Sequence, residues 1–374
     1  MHISIFGIKG LPAFSGPDRV VEKMLEHYPG KGKFSIYLVK PKVGKKECTP
    51  DRHYIYVPTI EGKHLKAFVY FALCALHYLV KGKADLIHVH DTSFGLFIPF
   101  LRLKGKVKII GTIHGNPYDR NKWGTFARVY LRFSEWVFVK SCDYITSVAD
   151  SKVIELKNHE VKNISYIPNG VDDYWSYQAT DSFEYEKYGL ERNSYILFVC
   201  ARLDSTKGLH HLIAAYEEGK FPYKLLAVGN FTHDVTYAKR VEKMCETNRN
   251  IVLYKDLLTR DTLISVLKNC RLFVFPSEVE AMSMVLLEAI SCKVGVVCSD
   301  IQENREIVGN DYEFLFNLST PHALNDQIQR ALDSKKLEEN ANNLYNRCIE
   351  KFSWKAISHN YQKIYSDLSS EAQN

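Results

Sequence analysis

The chain has 374 residues, 46% of them hydrophobic and 25% charged, with a net charge of +6. At about 100–200 residues per domain this length calls for two folded domains, and the composition excludes a disordered chain. Residues 1–180 carry 26 Lys and Arg against 16 Asp and Glu, whereas residues 181–374 carry 23 against 27. That asymmetry points to a first half facing something anionic, with a solvated basic face as the plain alternative.

The chain opens on a short apolar run, Ile3–Gly7, with no basic leader ahead of a long apolar region, so no signal peptide is expected. Further β-branched and aromatic runs follow at Phe34–Val39, Tyr54–Val57, Leu86–His90, Val107–Thr112, Tyr144–Val148 and Ile164–Ile167. In the second half they lie at Tyr195–Cys200, Lys224–Val228, Ile251–Tyr254, Leu272–Pro276 and Gly295–Cys298. Helix-length segments separate them, the pattern of βαβ units with parallel sheets. Twelve such runs are too many for one compact sheet, so two α/β domains are expected, with the junction after Pro168-Asn169-Gly170. The longest apolar stretch, Ala67–Val80, has fourteen residues, short of the about 20 that cross a bilayer. The nine cysteines show no C-x-x-C spacing, which argues against a disulfide framework and a zinc ribbon and fits a reducing, cytosolic setting. The tail from Trp354 to Leu368 has helical apolar spacing behind Ser353, a candidate N-cap.

Four segments at strand ends can carry chemistry. The loop Gly7–Pro17, with Gly10 and Gly16, precedes a helix and lets backbone N–H groups approach a phosphate. Its spacing fits neither the dinucleotide nor the Walker pattern, and an ordinary turn is the alternative. Arg202 and Lys207 follow the run Tyr195–Cys200; a planar fork and a mobile point charge at such an edge suit a diphosphate, or else a surface salt bridge. In Glu278–Ala289, Ser283 is a candidate N-cap and Met284 and Val285 offer free N–H groups for an anion. Glu280 and Glu288 bracket that point and could each grip a hydroxyl, one on a sugar and one on ribose, with an internal salt bridge as the alternative. His114, in Gly111–Asn116, could bond a ligand hydroxyl or phosphate, or be a satisfied loop histidine. His88-Val89-His90-Asp91 is a weaker metal alternative. No D-x-D occurs anywhere, so nothing suggests a carboxylate pair holding a divalent ion against a nucleotide diphosphate.

Taken together these segments resemble family 4 of the retaining glycosyltransferases, of the kind that builds bacterial surface polysaccharides. The resemblance rests on Gly7-Ile8-Lys9-Gly10-Leu11-Pro12-Ala13, Ile167-Pro168-Asn169-Gly170-Val171-Asp172, Arg202 with Lys207, the E-x7-E spacing of Glu280 and Glu288, and Phe352-Ser353-Trp354. It departs from the family where Ala281, Ser283 and Val285 replace the glycines and proline usual after the first glutamate, which would narrow the sugar pocket or change the donor.

The resemblance implies the GT-B architecture, two Rossmann-like parallel-sheet domains facing each other across a cleft. The expected division is 1–175 on the acceptor side, 176–352 on the donor side, and 353–374 as a helix crossing back to the first domain. It implies transfer of a sugar from a nucleotide diphosphate donor, with uridine the base on family frequency, without metal or other cofactor and with retention. Arg202 and Lys207 would offset charge on the leaving diphosphate, Glu280 would orient the sugar and Glu288 the ribose. His114 and the Gly10–Gly16 loop would face them from the opposite domain. Lys40, Lys42, Lys45, Lys46, Lys63 and Lys66 beside the aromatic stretch Phe68–Tyr78 suit a lipid-linked acceptor at an anionic membrane on the cytoplasmic side, with packing of that helix into the core as an equal alternative, His77 being its only strongly polar interior residue. A sugar-nucleotide epimerase and a non-catalytic nucleotide-sugar-binding module are the alternatives. No nucleic-acid reading motif accompanies the basic residues.

Overall fold

The computed structural model describes residues 1–13, 15–41, 48–60, 65–116, 118 and 124–371. They form two compact units, Met1–Asn169 with Trp354–Asn374, and Gly170–Ser353. The first division falls at Asn169, ahead of the boundary at 175 expected from sequence. The reason is local pairing. The Val171 N–H donates to the Phe352 carbonyl at 2.7 Å, the Tyr174 N–H donates to Ser291 Oγ at 2.9 Å, and Ser291 Oγ donates to the Asp172 carbonyl at 2.6 Å. The segment after Asn169 is thereby laced into the second unit.

The first unit holds seven strands: β1 (His2–Phe6), β2 (Lys33–Val39), β3 (Arg52–Val57), β4 (Leu86–Val89), β5 (Lys108–Ile113), β6 (Tyr144–Ser147) and β7 (Ile164–Tyr166). They form one parallel sheet in the order β3-β2-β1-β4-β5-β6-β7. Helices α1 (Gly16–Glu26), α2 (Leu65–Lys81), α3 (Ile98–Leu101), α4 (Thr125–Ser141) and α5 (Asp150–Asn158) connect them. The strands are near-continuous apolar runs because helices cover both faces of a parallel sheet.

The second unit repeats the plan with β8 (Tyr195–Cys200), β9 (Lys224–Gly229), β10 (Ile251–Tyr254), β11 (Leu272–Phe275), β12 (Val296–Ser299) and β13 (Leu315–Phe316). The order is β10-β9-β8-β11-β12-β13, all parallel. Its helices are α6 (Leu209–Gly219), α7 (Val235–Cys245), α8 (Arg260–Lys268), α9 (Met284–Ser291), α10 (Gln302–Val308), α11 (Ala323–Asp333) and α12 (Leu337–Phe352). Each of the twelve runs read from the sequence lies on a strand; the two-residue β13 is too short to leave a period and was not expected.

After α12 the extended residue Ser353 separates it from α13 (Trp354–Glu371), which belongs to the first unit. There Trp354, Ile357, Tyr361, Tyr365 and Leu368 are buried, and Ser358 Oγ donates to the Met24 carbonyl of α1 at 3.3 Å. Among the described residues no helix is long and apolar enough to cross a membrane, and the cysteines are free thiols, Cys48 alone being exposed.

Candidate functional site

In the second unit the strand order reverses between β8 and β11. In open parallel sheets ligands sit outside the carboxyl ends of the strands at such a switch point. The loop after β8 holds Arg202 and Lys207, and the loop after β11 holds Glu280. Two contacts lace these loops together. The Glu278 N–H donates to the Thr206 carbonyl at 2.7 Å. Gly208, at φ +70°, lies so close to β11 that a Cβ would meet the Pro276 carbonyl oxygen at 1.9 Å. Only glycine permits both that approach and that backbone conformation. Asp204 caps the turn Ser205–Lys207 by accepting the Thr206 N–H at 3.1 Å.

This scaffold sets Lys207 Nζ 2.6 Å from Glu280 Oε1, with both side chains half-buried; Arg202 on the same loop is exposed. Ser283 caps α9 by accepting the Leu286 N–H at 3.2 Å. That leaves the first-turn N–H groups of Met284 and Val285 at the positive end of the helix dipole, ready for an anion. One turn further on, Glu288 is 3% exposed and ion-paired to Arg260, the first residue of α8. The Arg260 guanidinium also lies 6.0 Å from the Tyr174 ring centroid. A buried carboxylate needs such a partner. Arg260 was not foreseen; a search for the cation that must accompany a glutamate on the apolar helix Met284–Ile290 would have asked for one.

His210, His211 and Glu278 were also missed. His211 Nε2 lies 2.9 Å from Glu278 Oε1, and His210 Nδ1 bonds Tyr237 Oη at 2.8 Å. Burial, with the neighbouring His211 charge, pushes the His210 pKa down to about 4. The three offer ligand atoms within 4.8 Å of one another, the one His/Cys/Asp/Glu group of that kind among the described residues.

In the first unit the switch point lies between β1 and β4. Gly7, at φ +87°, brings the two strand ends together; a Cβ there would meet the Asp91 nitrogen at 2.6 Å. The following glycine loop is held by buried Asp18, which accepts the Lys9 N–H and the Ser15 hydroxyl at 2.8 Å each. Gly10 is buried and Gly16 opens α1, where nothing would meet an added Cβ within 4 Å. Phe14 lies outside the described residues. His114 follows β5 and bonds through Nε2 to His90 Nδ1 at 3.1 Å. Burial pushes the His114 pKa down to about 3, does the same for His88 with help from the His114 charge, and drives His90 well below its usual value.

The residues picked from sequence thus fall in two groups. Gly10, Gly16 and His114 lie at the carboxyl edge of the first sheet. Arg202, Lys207, Glu280, Ser283, Met284, Val285 and Glu288 lie at that of the second. At the metal alternative of His88, His90 and Asp91, His90 Nδ1 bonds His114, while the buried His90 Nε2 has no hydrogen-bond partner. Both His88 nitrogens bond hydroxyls, Tyr365 and Thr112 at 2.6 Å each, and Asp91 accepts the Ser93 N–H at 2.8 Å. Of the six lysines read as an acceptor-side patch, Lys42, Lys45, Lys46 and Lys63 lie outside the described residues.

Two family models match the chain, Glycosyltransferase Family 4 over residues 14–174 and Glycosyl transferases group 1 over residues 181–350. The chain is 27% identical to the Escherichia coli UDP-Gal:alpha-D-GlcNAc-diphosphoundecaprenol alpha-1,3-galactosyltransferase, over 98% of this chain and 97% of that protein. It is 23% identical to the Bacillus anthracis N-acetyl-alpha-D-glucosaminyl L-malate synthase, covering 78% of this chain and 76% of that one. Among solved structures, sucrose-phosphate synthase from Thermosynechococcus elongatus matches 99% of this chain and 100% of its own, with a TM-score of 0.83 at 19% identity. Anabaena HepE in complex with UDP-glucose matches 99% of this chain and 100% of its own, with a TM-score of 0.77 at 16% identity. The chain therefore belongs to family 4 of the glycosyltransferases, with GT-B architecture, and transfers a sugar from a nucleotide-sugar donor.

Proposed function

We propose that the protein is a retaining, metal-independent hexosyltransferase that uses a UDP-sugar to extend a lipid-linked glycan precursor at the cytoplasmic face of a membrane. The observation that carries the reading is the 2.6 Å Lys207–Glu280 pair at the switch point of the second sheet, beside the capped N-terminus of α9. In the resting site each group neutralises the other. A bound diphosphate takes Lys207 from Glu280, and the freed carboxylate accepts hydroxyls of the sugar. As the bond from the anomeric carbon to the diphosphate breaks, charge grows on the leaving oxygen. The Met284 and Val285 N–H groups, fixed in advance by the helix, meet it together with Lys207 and Arg202. Glu288, held by Arg260, accepts a ribose hydroxyl. His114, neutral at physiological pH, and the Gly10–Gly16 loop serve the sugar and acceptor side. Positive charge from two side chains and a helix terminus is what a divalent ion would otherwise supply to the diphosphate, and no D-x-D is present to hold one.

The donor and acceptor classes are supported by the Escherichia coli relative, whose name specifies UDP-Gal and a diphosphoundecaprenol-linked sugar, and by HepE in complex with UDP-glucose. Retention is what the family resemblance implies.

A panel of nucleotide sugars, scored by thermal shift and then by transfer to a diphosphoprenyl-linked sugar, tests the reading. Lys207→Ala is expected to lower turnover about 10²–10³-fold and to remove the donor-induced shift. An unchanged shift would place the phosphate site elsewhere. A rate that collapses in EDTA would end metal independence, and an inverted anomeric centre by NMR would end retention. Donor converted without any acceptor would favour the epimerase.

A further inference from the structure

Most of the net positive charge of the first half of the chain falls on helices α2, α3 and α4 and the short segments that follow α2 and α3, up to Lys108 at the start of β5. Residues 65–83, 98–108 and 125–140 hold ten Lys and Arg and a single carboxylate, Glu135. Glu135 is buried and ion-paired to Lys152 at 2.8 Å, so it adds nothing to the outer face.

The layer of these helices exposes apolar side chains. Helix α4 turns Leu131, Ser134, Glu135 and Phe138 inward. Outward it presents Phe126, Val129, Phe133 and Trp136, which are 88%, 61%, 54% and 58% exposed. At 3.6 residues per turn these four share a stripe about 80° wide. The Phe133 and Trp136 rings stack with centroids 5.8 Å apart. Arg128 and Arg132 line one edge of the stripe, Val137 and Tyr130 the other, and Lys140 falls within it, all three cations being exposed. Next to it α2 exposes Leu65, Phe68, Leu76 and Val80, and the segment from α3 exposes Phe100 and Leu103. The Phe68 and Tyr130 rings, 6.4 Å apart, make the α2 and α4 surfaces continuous. A shallow cavity of about 470 Å³ opens beside this layer among Arg102, Lys104, Lys106, Lys108 and Asp143, where Arg102 donates to Asp143 Oδ2 at 2.9 Å.

Folded chains rarely leave a contiguous apolar patch of this kind uncovered. Its flanking charges decide what covers it. A helical seam between two copies places opposite charges beside the apolar stripe. Here the charges beside it are cationic, so two copies would repel. Among the described residues the exposed charges on α4 are Lys and Arg alone, and an apolar, aromatic stripe with cations beside it is what an amphipathic helix at a negatively charged lipid surface requires.

We infer that the layer of α2, α3 and α4 is a docking face for an anionic lipid bilayer. The aromatic stripe of α4 enters the boundary between headgroups and acyl chains, and the cations meet lipid phosphates. The inference extends the proposed lipid-linked acceptor, and its test needs neither donor nor acceptor.

The full chain is sedimented with phosphatidylcholine vesicles, with and without phosphatidylglycerol. Binding is expected only to the anionic vesicles and is weakened by added salt. The double variants F133E/W136E and R128E/R132E should each lower that binding about tenfold or more, while K243E on the second unit leaves it unchanged. Unaltered melting temperatures show that the variants fold. A parent chain that stays in the supernatant, or double variants that still co-sediment, would overturn the inference. So would a concentration-dependent dimer that F133E/W136E disperses while no vesicles bind. Vesicle binding without any nucleotide-sugar thermal shift would sink the proposed transferase chemistry and leave the docking face standing.

Discussion

The two sheets share one plan and differ in what lines their carboxyl edges. At each switch point a glycine with positive φ, Gly7 in the first unit and Gly208 in the second, draws one strand end against the next. Above that common device the edges diverge. The first carries neutral histidines and threonines linked by hydrogen bonds, His114 to His90 and His88 to Thr112 to Thr146. The second carries two opposite-charge pairs, Lys207–Glu280 and Arg260–Glu288. The framework brings strand ends together, and the loops then decide what stands above them: hydrogen-bonded histidines and threonines beside Asp91 and Asp18 in the first unit, side-chain ion pairs in the second. The proposed donor diphosphate would take the second, where charge can be exchanged.

Acid should break this comparison most strongly. The folded pKa values of His88 and His114 are pushed down to about 3 and that of His90 falls well below its usual value, burial being the main cause in each. Above about pH 6.5 these histidines are neutral in folded and unfolded chains alike. As pH falls below that, the unfolded chain binds protons that the folded one refuses. Stability of the first unit should then drop by about 1.4 kcal/mol per pH unit for each histidine involved, down to about pH 3. Urea melts between pH 7 and 4 check this. A His88→Gln variant should flatten the slope; an unchanged slope would mean that His88 is not held neutral.

The glycines test the shared device. Gly208→Ala should cost about 2–4 kcal/mol, because a strained backbone and a collision with the Pro276 carbonyl add. Gly7→Ala should cost somewhat less, its nearest neighbour being further away at 2.6 Å rather than 1.9 Å. Equal, negligible losses in denaturant melts would show that the strand ends can move apart. Arg260→Ala comes next. It strands the buried Glu288 carboxylate and should destabilise by about 2–3 kcal/mol, below the range for a fully buried pair because Arg260 is partly exposed. Arg260→Ala with Glu288→Gln should recover much of that, whereas Glu288→Gln alone should weaken donor binding by thermal shift. Gly16→Ala should change stability least, within about 0.5 kcal/mol, since nothing crowds the site. A fall in turnover at unchanged stability would then assign Gly16 to ligand approach alone.

The strands were legible because each is a short apolar run between helix-length segments, and periodicity is a local property. The Lys207–Glu280 meeting could be anticipated from two loops that each follow a strand. Its distance, and the displacement of Lys207 from Arg202, could not. Arg260 stayed hidden because the pair it forms with Glu288 spans two helices, and no local pattern marks a partner 28 residues away. The α4 stripe was missed for a different reason. Phe126, Val129, Phe133 and Trp136 have the spacing of a core face, as do Leu131 and Phe138 on the other side. A helix apolar on two faces does not say which one is covered.

The sequence by itself determined the two parallel α/β units, the strand positions and the residue types gathered after each strand, because these follow from periodicity, turn chemistry and short spacings. Only the tertiary structure decided which charges pair, which histidines are held neutral and which face of α4 meets the outside. Those outcomes depend on burial and on distances between segments far apart in the chain, and neither is encoded in any one stretch of it.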